Sequence, residues 1–225
     1  MPHPAQHAGY PVLMQLAGRR CVVIGAGAVG RRKVDGLLAA GARVVVVAPD
    51  GATRLPSGVE VHCRPYGDAD LDGAFLVFAA TDCLQTNQAV AAAARRRGVP
   101  VNIADDPAAS DFFLPAVLRQ GRVCVAVSTD GASPAMARLL RDDLAAHFDP
   151  SWAFFVEIAG ALRRRQLTTT AVGTYNQPVL HALLEQGVLR LIAAGDAAGI
   201  DRLLTTLAGG CTLATLDLSL PKGLP

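Results

Sequence analysis

VIGAGAVGRRK, residues 23–33, decides how the first half of this chain reads. Gly25, Gly27 and Gly30 stand at the spacing G-x-G-x-x-G. Just before them, Cys21-Val22-Val23-Ile24 is a continuous apolar run, as expected of a strand buried on both faces. After them, Val34, Leu37 and Leu38 recur at helical spacing, and Gly41 stands where the helix should end. Arg43-Val44-Val45-Val46-Val47 then reads as a second buried strand. Strand, glycine turn, helix, strand is a βαβ unit of about 30 residues. In such a unit the glycines allow a tight turn, close approach of backbone to a pyrophosphate, and close helix–sheet packing. The helix N-terminus adds free N–H groups and the positive end of a dipole. The backbone of Gly25, Gly27, Ala28, Val29 and Gly30 is therefore a candidate dinucleotide cradle. A tight turn without a ligand is the other reading of the same spacing.

A ribose carboxylate should close the second strand. Asp50, in Val47-Ala48-Pro49-Asp50, is the candidate, with Pro49 beside it; it falls slightly late and also reads as a turn residue. No arginine directly follows that strand to meet a 2′-phosphate, which favours NAD over NADP. Thr81 and Asn102 lie near strand ends and are candidate site contacts, Thr81 toward the cofactor and Asn102 toward substrate. Both also read as turn or capping residues.

The alternation continues with strands expected at Val59–Cys63, Phe75–Ala79 and Val101–Ile103, and an alanine-rich helix at Asn87–Arg97. Residues 1–111 thus read as a Rossmann-like α/β domain with a parallel sheet. The pattern then changes. Phe112–Leu118 and Arg122–Val127 read as a hairpin around Arg119-Gln120-Gly121, and Ser133-Pro134 as the capped start of a helix running to about His147. Residues 112–150 form this small α+β segment. Residues 151–225 read as a helical C-terminal domain, with helices at Trp152–Gln166, Pro178–Gln186, Val188–Ala194 and Ile200–Ala208.

Composition narrows the function classes. The chain has 225 residues, 51% of them hydrophobic and 18% charged, with a net charge of +2. So weak a basic excess, with few aromatics, argues against nucleic acid as a partner. Five dispersed cysteines without a CxxC pair read as reduced thiols of a cytoplasmic protein. The N-terminus lacks an apolar signal segment, and no apolar run reaches the roughly 20 residues a membrane span needs, so no membrane partner is expected. His3, His7, His62, His147 and His181 form no spaced cluster, and no metal site is assigned.

Four stretches occurring in order give a resemblance. They are Gly25–Lys33, Phe78-Ala79-Ala80-Thr81-Asp82, Val101-Asn102-Ile103-Ala104-Asp105-Asp106-Pro107, and Val127–Arg138 with its core Ser128-Thr129-Asp130-Gly131-Ala132-Ser133-Pro134. Together with the connecting Asp111–Ala116 they resemble the precorrin-2 dehydrogenase family, also found as the N-terminal module of siroheme synthases. The match runs from about residue 10 to 145 and continues more loosely beyond. The resemblance implies oxidation of precorrin-2 to sirohydrochlorin with reduction of NAD. In some members it extends to insertion of ferrous iron. It also implies a homodimer formed through residues 112–150.

Asp105 matches the family's catalytic aspartate. It directly follows the fifth expected strand, at the sheet edge where open α/β sheets bind ligands. Taken without the family, Asp105-Asp106-Pro107 reads as an Asx-type turn. Ser128 resembles a family serine near the active site, with a plain Ser/Thr turn as its other reading. A polycarboxylate substrate needs cations, and Lys33 and Arg138 are assigned to it, with Arg119, Arg122 and Arg141 as further candidates. Arg95-Arg96-Arg97 and Arg163-Arg164-Arg165 read as solvated faces near helix C-termini. Asp130 stands where the family usually has glycine, and its charge opposes an acidic substrate. Ala26 and Gly30 also depart from common family choices but are equally small. The chain contains no second glycine-rich methyltransferase domain, so methylation of the tetrapyrrole precursor is expected of another protein. Two further readings compete with the dehydrogenase: a non-catalytic dinucleotide sensor, and a chelatase or tetrapyrrole carrier without dehydrogenase activity.

Overall fold

Five short apolar runs become the five strands of one parallel sheet. In the computed structural model, which describes residues 9–49, 55–167 and 177–221, these are β1 (Arg20–Ile24), β2 (Arg43–Val47), β3 (Glu60–His62), β4 (Leu76–Ala79) and β5 (Val101–Ile103). Their order across the sheet is β3-β2-β1-β4-β5. Helix α1 (Ala28–Ala39) covers one face and α2 (Leu84–Arg96) the other. Parallel strands buried on both faces need apolar side chains at every position. Val22, Val45 and Val77 stand side by side and face the α2 layer, while Val23, Val46 and Phe78 face the α1 layer. Gly41 takes φ +74°, and the N–H groups of Gly41 and Ala42 close α1 on the carbonyls of Leu38 and Leu37. This is the glycine stop its position suggested.

The direction of winding reverses between β1 and β4. The chain leaves β1 toward β2 on one side, and β4 lies on the other. A crevice therefore opens at the carboxyl ends of β1 and β4, the place where open α/β sheets accept ligands. These strands belong to the first of two units, Met1–Leu114 and Pro115–Pro225.

In the second unit, β6 (Ala116–Gln120) and β7 (Val123–Val127) form an antiparallel hairpin with Ala116 opposite Val127. The turn is Gly121-Arg122, one residue later than the sequence suggested, with Gly121 at φ +55°. A methyl at Gly121 would stand 2.7 Å from the Cβ of Ala153, so the turn is pressed against the next helical layer. The helices are α3 (Pro134–Ala145), α4 (Pro150–Leu167), α5 (Gln177–Glu185), α6 (Val188–Ala193) and α7 (Ala197–Leu207). Phe154, Ile158, Leu183, Ile192 and Leu204 share their core.

Two local expectations change. The strand expected from Phe112 starts only at Ala116, because Phe112 belongs to the first unit, edge-on to the Phe78 ring at 5.5 Å between centroids. The Arg95–Arg97 run is not simply solvated. Arg96 and Arg97 pair with Asp68 and Asp72 at 2.7 and 3.0 Å, and Arg95 reaches Asp111 and the Ala109 carbonyl.

Candidate active site

Three glycines of the β1–α1 turn do three different jobs. Gly25 has φ +103°, and a side chain there would meet the Ala80–Thr81 peptide, 2.7 Å from the Ala80 carbonyl carbon. Gly30 lies against Gly25, so a methyl at residue 30 would overlap the Gly25 carbonyl oxygen. Both are glycine because backbone occupies the space. Gly27 differs: a Cβ there would meet nothing within 4 Å. Its φ of −65° suits any residue, and it forms the N-cap of α1 without a side-chain cap. The first helical bond runs from Arg31 N–H to the Gly27 carbonyl at 3.0 Å, so Ala28, Val29 and Gly30 precede the ladder with their N–H groups at the open end. No acidic side chain stands in that first turn. An uncapped helix start behind an open glycine suits a pyrophosphate, and the residues present fit a dinucleotide.

The loop after β4 forms the neighbouring wall. Thr81, assigned to the cofactor, has its hydroxyl committed inside the protein. It donates among Asn87 Oδ1 at 2.7 Å and the Cys83 carbonyl at 3.1 Å, and accepts from Cys83 N–H at 3.2 Å. The Thr81 N–H donates to Asn87 Oδ1 at 3.1 Å as well, so contact from this residue to a ligand comes from its methyl or from the second lone pair of its carbonyl. Pro49 is exposed at the carboxyl end of β2. Asp50 lies outside the described residues.

Asp105 sits one residue beyond Ala104, whose N–H donates to the Ala79 carbonyl at the end of β4 at 2.8 Å. Its backbone is left-handed, φ +64°, a conformation aspartate tolerates but does not favour. The turn is held by its neighbours. Asp106 Oδ1 accepts from Ala109 N–H at 3.1 Å, Ser110 Oγ donates to the Asp106 carbonyl at 2.9 Å, and Ser110 Oγ also accepts from Ile103 N–H at 2.9 Å. The Asx-type work thus belongs to Asp106. Among the described residues the Asp105 carboxylate makes no hydrogen bond or ion pair, and the residue is exposed.

Lys33 reaches the same region from α1. Its ammonium lies 5.7 Å from the centre of the Phe78 ring. Burial pushes its pKa below the ordinary lysine range and Arg32 adds to this, while the negative charge of Asp105 opposes it. Asn102 pairs in register with Phe78 on the α1 side of the sheet, buried, and its Nδ2 donates to the Phe112 carbonyl at 2.9 Å. Lys33, Phe78, Asn102 and Asp105 therefore gather at one end of the sheet. Sequence reasoning missed Phe78, which looked like an ordinary strand residue, and Asn87. The signal for Asn87 was present: a polar residue on the buried stripe of α2, in line with Val90, Ala91 and Ala94.

The other assigned residues lie in the second unit. Ser128 is exposed, and its Oγ accepts from Asp130 N–H at 3.2 Å, a Ser/Thr turn. Asp130 and Gly131 have φ +47° and +82°, and Ala132 N–H closes on the Thr129 carbonyl at 2.9 Å. Two successive left-handed residues define a type I′ turn, which Asp-Gly suits. The aspartate at a glycine position is thereby explained by the backbone. Ser133 caps α3 through Met136 N–H at 3.2 Å, with Pro134 at the first helical position. Arg138 is exposed, whereas Arg141 is engaged by Asp142 at 2.5 Å and Arg122 lies 3.5 Å from Glu157. Among the described residues no three His, Cys, Asp or Glu side chains gather as a metal site, and no helix is long and apolar enough to cross a membrane.

A glycine turn at the switch point of a parallel sheet, an open helix start and an exposed aspartate on the same edge define a dinucleotide-binding α/β protein. Comparison with known proteins agrees. Residues 12–116 match the family described as "Putative NAD(P)-binding", and residues 120–147 match "Sirohaem biosynthesis protein central". The siroheme synthase of Nitrosomonas eutropha is 34% identical over 205 residues, covering 88% of this chain and 43% of its own length. That of Pseudomonas aeruginosa strain LESB58 is 34% identical over 206 residues, covering 89% and 44%. The solved structure of SirC, a precorrin-2 dehydrogenase, superposes with a TM-score of 0.68 at 23% identity over 89% of this chain and 100% of its own, which shows the shared fold. The chain belongs to the family of precorrin-2 dehydrogenases and siroheme synthase N-terminal modules. It spans about two fifths of the length of the curated relatives it matches.

Proposed function

We propose that this chain oxidises precorrin-2 to sirohydrochlorin with NAD, in the biosynthesis of siroheme. One observation carries the proposal: Asp105 is an exposed carboxylate in a left-handed backbone at the sheet edge, while Asp106 and Ser110 make the turn around it. Backbone held in a sparsely populated region clusters at active sites. A carboxylate without internal partners is available to a proton in transit.

Bound NAD supplies the acceptor for a hydride. Gly27, Ala28, Val29 and Gly30 hold its phosphates by backbone N–H, while Gly25, whose N–H donates to the Val47 carbonyl, makes the turn; Pro49, Asp50 and Thr81 lie beside its sugars. Asp105 takes the proton that leaves the tetrapyrrole as the hydride departs, and returns it to solvent. Lys33 and Asn102 orient the macrocycle, the ammonium answering one of its carboxylates and the Phe78 ring supplying an apolar floor. Ser128 and Arg138, both exposed, offer a hydroxyl and a guanidinium suited to substrate carboxylates. In ferrous-iron insertion, Asp105 would receive the two displaced pyrrole protons in turn.

The protein acts as a homodimer in the cytoplasm. Exposed Leu139, Met136 and Leu140 on α3 and Val117 on β6 give the second unit an apolar surface suited to a second copy. All five cysteines are unpaired, as in a reducing compartment.

Purified protein is mixed with precorrin-2 and NAD, and sirohydrochlorin absorbance is followed. Product is expected with the native chain. Asp105→Asn should lower the rate about 10²–10⁴-fold with NAD affinity unchanged. Absence of NAD-dependent product refutes the activity, and an Asp105→Asn variant at full rate refutes the base assignment. Sirohydrochlorin with ferrous or cobaltous ion tests metal insertion separately.

A further inference from the structure

Asn87 occupies a core position that an alanine or leucine would ordinarily fill. It lies one turn inside α2, on the stripe formed with Val90, Ala91 and Ala94, and is 5% exposed. Its amide reaches back across the helix start to a single residue. Oδ1 accepts from Thr81 N–H at 3.1 Å and from Thr81 Oγ1 at 2.7 Å, and Nδ2 donates to the Thr81 carbonyl at 3.0 Å. Thr81 thus has its N–H, its carbonyl and its hydroxyl all engaged by one side chain. Its hydroxyl also locks the following turn through Cys83.

What this fixes is the Ala80–Thr81 peptide. β4 ends at Ala79, and Ala80 N–H still donates to the Ile24 carbonyl at 2.8 Å, so Ala80 continues the sheet alongside β1. The Ala80 carbonyl then lies directly against Gly25, and Thr81 N lies 3.0 Å from where a Gly25 side chain would stand. The peptide forms one wall of the glycine turn. The Ala80 N–H makes the last ladder bond, and beyond it the Thr81 end of the peptide is held by the Asn87 amide.

We infer that Asn87 is a positioning residue of the dinucleotide site, holding the Ala80–Thr81 peptide against the glycine turn so that the cradle is formed before the cofactor arrives. The inference rests on the reading that this turn binds NAD. Without the amide, two backbone groups of Thr81 turn to water and the wall samples other positions. Affinity then falls by the fraction of molecules in the competent form.

Two properties of the 225-residue chain test this: NAD affinity by titration calorimetry and amide hydrogen exchange at Thr81. Asn87→Ala should weaken NAD binding by about tenfold or more, since three hydrogen bonds to Thr81 are lost together. In steady state the KM for NAD should rise with kcat nearly unchanged. Exchange at Thr81 should accelerate in the free protein while amides within β1 and β5 keep their protection. Asn87→Asp keeps shape and both acceptor contacts but loses the donor, and should fall between the two. Native NAD affinity in Asn87→Ala, or in Asn87→Asp if the alanine variant does not fold, overturns the inference. A native protein that binds no NAD would instead overturn the cofactor reading, and the inference with it. Equal acceleration of exchange throughout the sheet would also overturn it, since Asn87 would then act on global stability alone.

Discussion

Replacing Gly27 and Gly30 separately by alanine should divide ligand binding from folding. At Gly27 the backbone is φ −65°, ψ −179°, accessible to alanine, and a methyl there meets nothing within 4 Å. Two small effects on stability oppose one another. Restricting the unfolded chain stabilises by about 0.4–1 kcal/mol, and alanine is a poorer N-cap than glycine by a comparable amount, roughly 0.5–1 kcal/mol. The net change should be within about 0.5 kcal/mol, or about 2 °C in Tm for a chain of this size. The methyl nevertheless stands in the approach to the helix start. Loss of one hydrogen bond to a charged phosphate, about 1.5–3 kcal/mol, weakens NAD about 10–100-fold. Gly30→Ala is the reverse case. The added methyl overlaps the Gly25 carbonyl oxygen and lies 3.1 Å from its carbon. Van der Waals separation requires the two segments to part by about an ångström. Backbone on both sides cannot rotate away, so the cost should be about 3 kcal/mol, the upper end for overpacking, and Tm should fall by roughly 6–12 °C. Calorimetric unfolding and NAD titration on the same preparations decide it. If Gly27→Ala loses stability like Gly30→Ala while binding NAD normally, the division of labour among the three glycines is wrong.

Other expectations concern the rest of the fold. The carboxyl of Asp70 is held at a pKa of about 2 by hydrogen bonding from Arg64, below its ordinary 3.8. A depressed carboxylate pKa stabilises fully above the ordinary value and is lost as pH falls through the folded one, so, with the half-exposed Arg64 screened by solvent, about 1 kcal/mol should vanish between roughly pH 5 and pH 2; Asp70→Asn should flatten that part of the acid-unfolding curve, and an unchanged curve counts against the pair. Burial pushes the Cys21 thiol up to about 11, whereas hydrogen bonds from Thr86 lower the exposed Cys83. A thiol reagent should therefore modify Cys83 in the native protein and Cys21 only after unfolding, and early labelling of Cys21 would contradict the packing of β1. Leu139 is 62% exposed on α3. Leu139→Arg should shift the protein from dimer to monomer in sedimentation with Tm changed by only a few degrees, and a native chain that is already monomeric removes the dimer proposal.

Much of the first unit was legible because two strong local rules coincide there. Continuous β-branched runs bury on both faces of a parallel sheet, and glycine permits what other residues cannot at the turn and at Gly41. The second unit was legible as elements, since the Ser133 cap, Pro134 and the helical periodicities act over a few residues. Phe112 was misplaced because its apolar neighbours read as one strand, although its ring was claimed by Phe78, 34 positions earlier.

Short-range periodicity, turn chemistry and residue identity are enough to specify the parallel sheet, the glycine turn and the four stretches that mark the family. What packing adds is which aspartate of Asp105-Asp106 makes the turn and which is left exposed, and that the Asn87 amide bonds Thr81 beside the glycine turn. Those outcomes depend on which polar groups meet after β4, β5, α2 and the 104–111 loop have packed. The same holds for the Gly25, Gly27 and Gly30 spacing. Its letters are alike, but one glycine faces open space and two face backbone, and only the folded chain distinguishes room for a ligand from room already filled.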